Sequence, residues 1–218
     1  MTTRTLFSLP ALSSLPLVWV LGCGASSEGT PPPKKTTLAP VPADPEAKAA
    51  AKAAAVPDKV EQKAKLASAP IDLPKVMVSG MDQLIGQYEV IRATLAKDTV
   101  EPIPAAAKRL GELAAELGKQ APDAAKPLLE DIEWAASALE APGYIEAHRL
   151  RFGDLSRAVV GLISSTPTLA KDRHVFECPM ADGYKKWVQS TAALENPYMG
   201  SKMPRCGGES HWERMGTK

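Results

Sequence analysis

The stretch MVSGMDQLIGQYEVIRATL, residues 77–95, decides the fold class of the chain. Its apolar side chains recur every three or four residues, which places them on one face of an α-helix. The members of this face are Met77, Met81, Leu84, Ile85, Tyr88, Ile91 and Leu95. A single amphipathic helix cannot bury such a face alone, so the chain that follows should supply partner helices.

Three further segments show the same helical spacing, at residues 103–117, 124–139 and 144–164. Asp98-Thr99 is expected to cap the first of them, and Ala141-Pro142-Gly143 ends the second. Because the connections are short, neighbouring helices should be antiparallel. We therefore predict an all-α fold, an up-down four-helix bundle followed by an irregular, Cys/Met-rich C-terminal flap.

The segment before the bundle has a different composition. Residues 24–72 contain eight prolines and no aromatic residue, a composition typical of extended, disordered chain. We predict a disordered Pro/Ala/Lys-rich linker over residues 23–72 and a folded domain over residues 73–218. The net charge of the whole chain is +1, which argues against nucleic acid as a partner because phosphate binding needs a surplus of Lys and Arg.

The N-terminus has the pattern of an export signal. Arg4 is the only charge before Glu28, and an apolar stretch runs between them to Cys23. The end of this stretch, Val20-Leu21-Gly22-Cys23, resembles the bacterial lipobox. The resemblance implies a signal peptide over residues 1–22 and a lipid on Cys23. We expect a protein anchored by lipid to a cell-envelope membrane and facing the periplasm or exterior. Ala25 in place of Asp mildly favours the outer membrane.

The chemistry of the chain is concentrated after residue 167. Cys178 and Met180 flank a proline, and Met203 precedes Cys206 by three residues. Thiolate and thioether sulfur are soft donors that select Cu(I) over hard cations. If the two Cys-Met pairs converge, they would form a sulfur-rich metal site. His174, Met199 and His211 are further candidate ligands, placed only by their proximity in sequence.

A disulfide between Cys178 and Cys206 is the alternative interpretation of the same residues. Exported proteins fold in an oxidising compartment, where two cysteines normally pair. A bridge across about 28 residues would contribute roughly 3–4 kcal/mol by the chain-entropy estimate. The methionines would then serve as packing residues. Spacing alone leaves both alternatives open.

Enzymatic motifs are missing from the sequence. It contains no phosphate-binding glycine loop, no His-Glu-x-x-His pair, no Gly-x-Ser-x-Gly element and no Cys-x-x-Cys. Glu130, Asp131 and Glu133 cluster in one helical segment, as on an ordinary solvated helix face. We therefore expect that the protein is not an enzyme.

The tail also resembles a known family. Cys178-Pro179-Met180-Ala181, Trp187 and the run from Asn196-Pro197-Tyr198 to Met203, Cys206 and Gly207 are similar to an uncharacterised periplasmic domain family, domain of unknown function 3347. Helical segments of this chain resemble that family as well. Lys185-Lys186 depart from its pattern, in which small or aromatic residues are common before the Trp.

The resemblance implies the handling of Cu(I) or Ag(I) outside the cytoplasm, because the family also occurs fused to adaptor subunits of copper and silver efflux pumps. Its implied ligands are Cys178, Met180, Met203 and Cys206. The expected partners are the membrane, through Cys23, and heavy-metal efflux or copper-handling proteins. The alternative function is an envelope interaction or scaffold module with a structural disulfide.

Overall fold

Four long helices form most of the part of the chain that the structure describes, residues 63–213 of a computed structural model. They are α1 (Lys75–Ala96), α2 (Ile103–Gln120), α3 (Lys126–Glu140) and α4 (Ile145–Ser165), followed by the single-turn helix α5 (Pro167–Ala170). Each long helix packs against the next, and α4 returns to contact α1. The predicted signal peptide over residues 1–22, the predicted lipid on Cys23 and the part of the predicted linker up to residue 62 lie outside the described residues.

The apolar spacing explains the packing of these helices. All seven residues of the predicted α1 face are buried. The buried face of α2 is built mainly from small residues, and a Cβ on Gly111 would lie only 3.7 Å from the Ala136 Cβ. Small side chains let the backbones of α2 and α3 approach closely, which increases dispersion contact between the two helices. Within the described range, no helix is both long enough and apolar enough to cross a membrane.

Asp98 has another role than the predicted helix cap. The residue before α2 is Pro102, and no side chain caps that helix. Asp98 instead takes a left-handed backbone conformation with φ of 56°, which Asp tolerates better than most residues. Its carboxylate then faces the C-terminal part of the chain.

The described residues that precede the predicted domain boundary at residue 73 contact the helices. Ile71 and Leu73 are buried. The Ala67 amide donates to the Ser165 Oγ at 2.9 Å, and the Ile71 amide donates to the Ser165 carbonyl at 2.7 Å. Residues 63–72 therefore run along α4, because their apolar side chains pack against the hydrophobic core.

The C-terminal segment contains a small antiparallel sheet, so the all-α expectation is wrong for this part of the chain. The strands are β1 (His174–Glu177), β2 (Lys186–Gln189) and β3 (Gly208–Glu209), in the order β2-β1-β3. Phe176 pairs with Trp187 on one side and with Glu209 on the other. Aromatic and β-branched residues favour strands when one face of the sheet can be buried. Here β2 packs on α4 and buries Trp187 and Val188.

Candidate functional site

Cys178 and Cys206 meet at the end of this sheet. Cys178 directly follows β1, Cys206 lies two residues before β3, and Glu177 pairs with Gly208 across the two strands. The two Sγ atoms are 3.4 Å apart, further than the roughly 2.05 Å of a covalent S–S bond. The pair therefore stands as two thiols in hydrogen-bond contact. Cys178 is fully buried, whereas Cys206 is partly exposed.

The hydrogen bond between the thiols affects their acidity. The contact with Cys178 raises the pKa of the Cys206 thiol above its ordinary value, and burial of the sulfur contributes in the same direction. A thiol with a raised pKa keeps its proton at neutral pH and is a weak nucleophile. Any metal that binds the pair must therefore displace protons, which makes its affinity depend on pH.

Met180, Met203 and His211 lie at the surface, whereas His174 and Met199 are partly buried. The exposed fraction is 58% for Met180 and 37% for Met203. The His174 Nδ1 is 3.0 Å from a Glu209 carboxylate oxygen, and His211 is exposed. Met199 is half-buried and packs against the hydrophobic core. The structure thus brings together the two cysteines at 3.4 Å and leaves Met180 and Met203 with solvent-accessible thioethers near them in sequence.

A cluster of aromatic side chains packs between the sheet and the helices α1 and α4. Trp187 stacks on Phe176 with ring centroids 5.7 Å apart and meets the edge of Tyr198 at 5.9 Å. Tyr198 contacts Phe152 of α4, which in turn stacks on Tyr88 of α1. Burial raises the pKa of the Tyr198 hydroxyl well above its ordinary value, so the hydroxyl stays protonated and donates to the Lys186 carbonyl at 2.9 Å. The cluster joins the bundle to both cysteine-bearing segments.

A cavity of about 330 Å³ lies beside this cluster, between α4 and the turns that follow Cys178 and Asn196. Leu150 and Met199 form part of its apolar lining, and Glu146 and Lys202 contribute charges of opposite sign. Neither cysteine lines it. The thiol pair therefore lies outside the lining of this cavity.

The loop that carries Met199 and Met203 is fastened to the bundle by Asp98. The Asp98 carboxylate accepts the Ser201 amide at 2.9 Å and also binds the Ser201 hydroxyl and the Arg149 guanidinium. The Arg149 side chain additionally donates to the carbonyls of Leu95 and Pro197. The hydrogen bonds from Ser201 and Arg149 lower the pKa of Asp98 to about 2. One carboxylate thus links α1, α4 and the loop.

Removing the charge of Asp98 should change how the free energy of unfolding depends on pH. A carboxyl with a pKa of about 2, against an ordinary 3.8, stabilises the fold above its ordinary pKa and loses that contribution as pH falls through its native pKa. Asp98→Asn keeps a residue that tolerates positive φ but loses the charge. We expect the variant to be less stable than the wild type at neutral pH, with the difference shrinking below about pH 4.

Urea unfolding of the full chain between about pH 2 and pH 7 measures this difference. Asp172→Asn is the matched control, because Asp172 is exposed and has a similar φ of 57°. If the difference in the free energy of unfolding between Asp98→Asn and the wild type stays constant down to about pH 2, the charge has no such role.

Several residues that hold the site were not among the predicted ones. The sequence indicated Asp98 only as a helix cap and gave no signal for Arg149, because the Asp98 partners Arg149 and Ser201 are 51 and 103 positions away along the chain. Asn196 carried a weak signal, since Asn-Pro favours the start of a turn. Among residues 63–213, no group of three or more His, Cys, Asp or Glu side chains is placed to hold a metal ion.

No family model, curated protein or solved structure matches the chain. The similarity of the tail to the periplasmic domain family therefore stays a prediction.

Proposed function

We propose that the protein is a lipid-tethered extracytoplasmic module that binds or shuttles Cu(I) or Ag(I) through the thiolates of Cys178 and Cys206. The observation that carries the proposal is the convergence of these two sulfur atoms to 3.4 Å from positions 28 residues apart. Met180 and Met203 are the proposed additional thioether ligands. His174, Met199 and His211 are less favoured, because His174 already bonds Glu209 and Met199 packs on the core.

The donor set favours a soft monovalent ion. Structural zinc sites use four protein ligands, usually Cys and His, whereas the described part of the chain offers only two such ligands at this place. Thiolate and thioether donors suit Cu(I). Because Met180 and Met203 are accessible to solvent, they can exchange an ion with a partner instead of enclosing it.

The wider organisation of the molecule belongs to the same proposal. The helices α1 to α4 act as an up-down four-helix bundle that presents the sheet and its thiol pair. Lipid on Cys23 would hold the protein at a cell-envelope membrane, and residues 24–62 would let the domain reach copper-handling partners. The protein acts without catalysis in this proposal.

A structural disulfide is the second candidate, and the position of the cysteines favours it. The pair joins the adjoining ends of β1 and β3, so oxidation would fasten the last strand covalently to the sheet. A loop of 28 residues corresponds to roughly 3–4 kcal/mol in the chain-entropy estimate. The protein would then be an envelope interaction or scaffold module.

The deciding experiment starts with a count of free thiols and bound metal in the full chain, isolated from an oxidising compartment without reductant. The reduced protein is then set to compete with a colorimetric Cu(I) chelator. We expect wild-type protein to withdraw Cu(I) from the chelator and the Cys178→Ser/Cys206→Ser variant to bind at least about 100-fold more weakly, since even changes beyond the ligands themselves cost about 10–100-fold. Affinity should also rise with pH, because protons leave the thiols on binding.

His174→Gln is the control, because the imidazole is already bound to Glu209, and it should bind Cu(I) like the wild type. Met180→Leu/Met203→Leu should weaken binding less than the loss of the cysteines does. If the reduced wild-type protein competes no better than the double Ser variant, the metal proposal is wrong. Blocked thiols without metal, together with a loss of stability on reduction that Cu(I) does not restore, would support the disulfide module instead.

A further inference from the structure

Asn196 is a fully buried polar residue at the base of the loop that leads to Cys206. Its backbone amide donates to the Pro204 carbonyl at 2.9 Å, and its backbone carbonyl accepts the Gly200 amide at 3.1 Å. These two bonds close the loop on itself. The side chain of Asn196 makes hydrogen bonds both to residues within this loop and to Cys206, which follows it.

The oxygen and the nitrogen of the Asn196 carboxamide form hydrogen bonds with different parts of the chain. The Oδ1 atom accepts the amides of Tyr198 at 2.8 Å and Met199 at 3.0 Å, which shapes the turn after Pro197. The Nδ2 atom donates to the Cys206 carbonyl at 2.6 Å. A carboxamide can do both because it carries an acceptor and two donors, and no other side chain of similar size shares this combination.

The two cysteines depend on this bond to different degrees. Cys178 is held by its own backbone, since its amide donates to the Lys185 carbonyl at 3.0 Å and its carbonyl accepts the Ala181 amide at 3.2 Å. The backbone of Cys206 has the Met203 carbonyl as acceptor for its amide at 3.1 Å and Asn196 as donor to its carbonyl. The carbonyl of Cys206 therefore depends on a side chain, that of Asn196, whereas both backbone bonds of Cys178 are made to other backbone groups.

We infer that Asn196 is a positioning residue, whose Nδ2 hydrogen bond to the Cys206 carbonyl holds the two thiols within reach of each other and sets the reduction potential of the pair. Holding two reacting groups in place raises their effective concentration and favours their joint reaction or joint ligation. For ligation of Cu(I) the inference rests on the proposed function. For disulfide formation it depends only on the geometry of the pair.

The test is Asn196→Asp, measured as the thiol–disulfide equilibrium of the metal-free full chain in glutathione buffers. In this equilibrium the protein disulfide and two reduced glutathione molecules give the dithiol and one oxidised glutathione. The Asp side chain keeps the acceptor for Tyr198 and Met199 but replaces the Nδ2 donor by an oxygen, which repels the Cys206 carbonyl. We expect the protein disulfide to become up to about 10-fold easier to reduce, equivalent to about 30 mV, because the variant loses one hydrogen bond that holds the pair.

Gln189→Glu is the matched control. Gln189 is the other fully buried carboxamide of the C-terminal segment. Its Nε2 donates to the Thr191 and Ala193 carbonyls at 2.7 Å, and it makes no hydrogen bond to either cysteine. The control places the same kind of carboxylate in the same part of the fold, so a general loss of stability affects both variants alike. Asn196→Ser, which can still support a turn but cannot reach Cys206, gives a second reading if the Asp variant does not fold.

A shift in the equilibrium for the Asn196 variants that Gln189→Glu lacks supports the inference. An equilibrium unchanged in the Asn196 variants, or shifted equally in Gln189→Glu, overturns it. Because the measurement contains no metal, it remains informative if the wild-type protein does not bind Cu(I). Conversely, strong Cu(I) binding by wild-type protein with an unshifted Asn196→Asp equilibrium would leave the proposed function standing and remove only this inference.

Discussion

Trp187→Ala is expected to lower the free energy of unfolding by about 3–5 kcal/mol, the range for truncating a buried large aromatic residue. Trp187 is fully buried in β2 and contacts Phe176 and Tyr198 through its ring. Its Nε1 donates to the Gln189 Oε1 at 3.0 Å. Truncation would remove the apolar contacts of the indole and leave a cavity between the sheet and the helices. It would also deprive the buried Gln189 Oε1 of one donor.

Trp134→Ala is the control, because 59% of the Trp134 surface is exposed on α3. We expect that variant to stay within about 0.5 kcal/mol of the wild type. Urea unfolding of the full chain followed by far-UV circular dichroism compares the two variants without relying on tryptophan fluorescence. Equal stabilities of the two variants would show that the sheet and the bundle do not share one core.

The helical part of the molecule was predictable because its signal is local and repeated. Every member of the predicted α1 face stands three or four positions from another member, and the burial of all seven follows from that spacing. The same spacing continues in α2 to Leu113 and Leu117 and predicts that both are buried, but the structure buries them only partly. Both residues pack against the outside of the core. How deeply they are buried depends on the rotation of the neighbouring helices, which the spacing of residues in α2 does not reveal.

The sheet was missed because its strands are too short to give a periodic signal. Two of the three strands have four residues and the third has two, at or below the shortest run that alternation can identify. Their stability comes from pairing across the sheet and from packing on α4, and both are tertiary effects. The helix cap predicted at Asp98 is wrong for a related reason, because the partners of its carboxylate are remote in sequence.

The candidate site was predictable in its residue types and only partly in its geometry. Soft-donor chemistry identified Cys178 and Cys206, and the structure places their sulfur atoms 3.4 Å apart. The sequence could not indicate that Met180 would be 58% exposed, since exposure depends on the path of the turn. The role of Asn196 could not be predicted, because a hydrogen bond from a side chain to a backbone carbonyl leaves no trace in residue spacing.

Gly207→Ala is expected to separate the two cysteines and to release β3 from the sheet. Gly207 has φ of 114°, a conformation that L-residues with a side chain rarely adopt and that costs about 1–3 kcal/mol. A Cβ at this position would also lie 3.1 Å from the Glu177 carbonyl carbon and closer still to its oxygen. Both atoms belong to the backbone of β1, so they cannot move aside without disturbing the strand.

The next residue along the chain gives the matched control. A Cβ on Gly208 meets nothing within 4 Å, and Gly208 is not among the residues with positive φ, so Gly208→Ala should behave like the wild type. We expect Gly207→Ala to lose stability by at least the backbone cost of about 1–3 kcal/mol and to expose both thiols to alkylation. The rate of thiol alkylation under native conditions, measured beside urea unfolding, reports the two effects separately.

The comparison of these neighbouring glycines also shows what the thiol pair depends on. Gly207 is the point at which the chain turns from Cys206 into β3, and its lack of a side chain lets Cys206 lie against the end of β1. If both Ala variants keep wild-type alkylation rates, the close backbone approach at residue 207 does not control the pair. If only Gly207→Ala is alkylated faster, the geometry of the pair comes from the β1–β3 contact. Oxidation or metal binding at the pair would then stabilise that same contact.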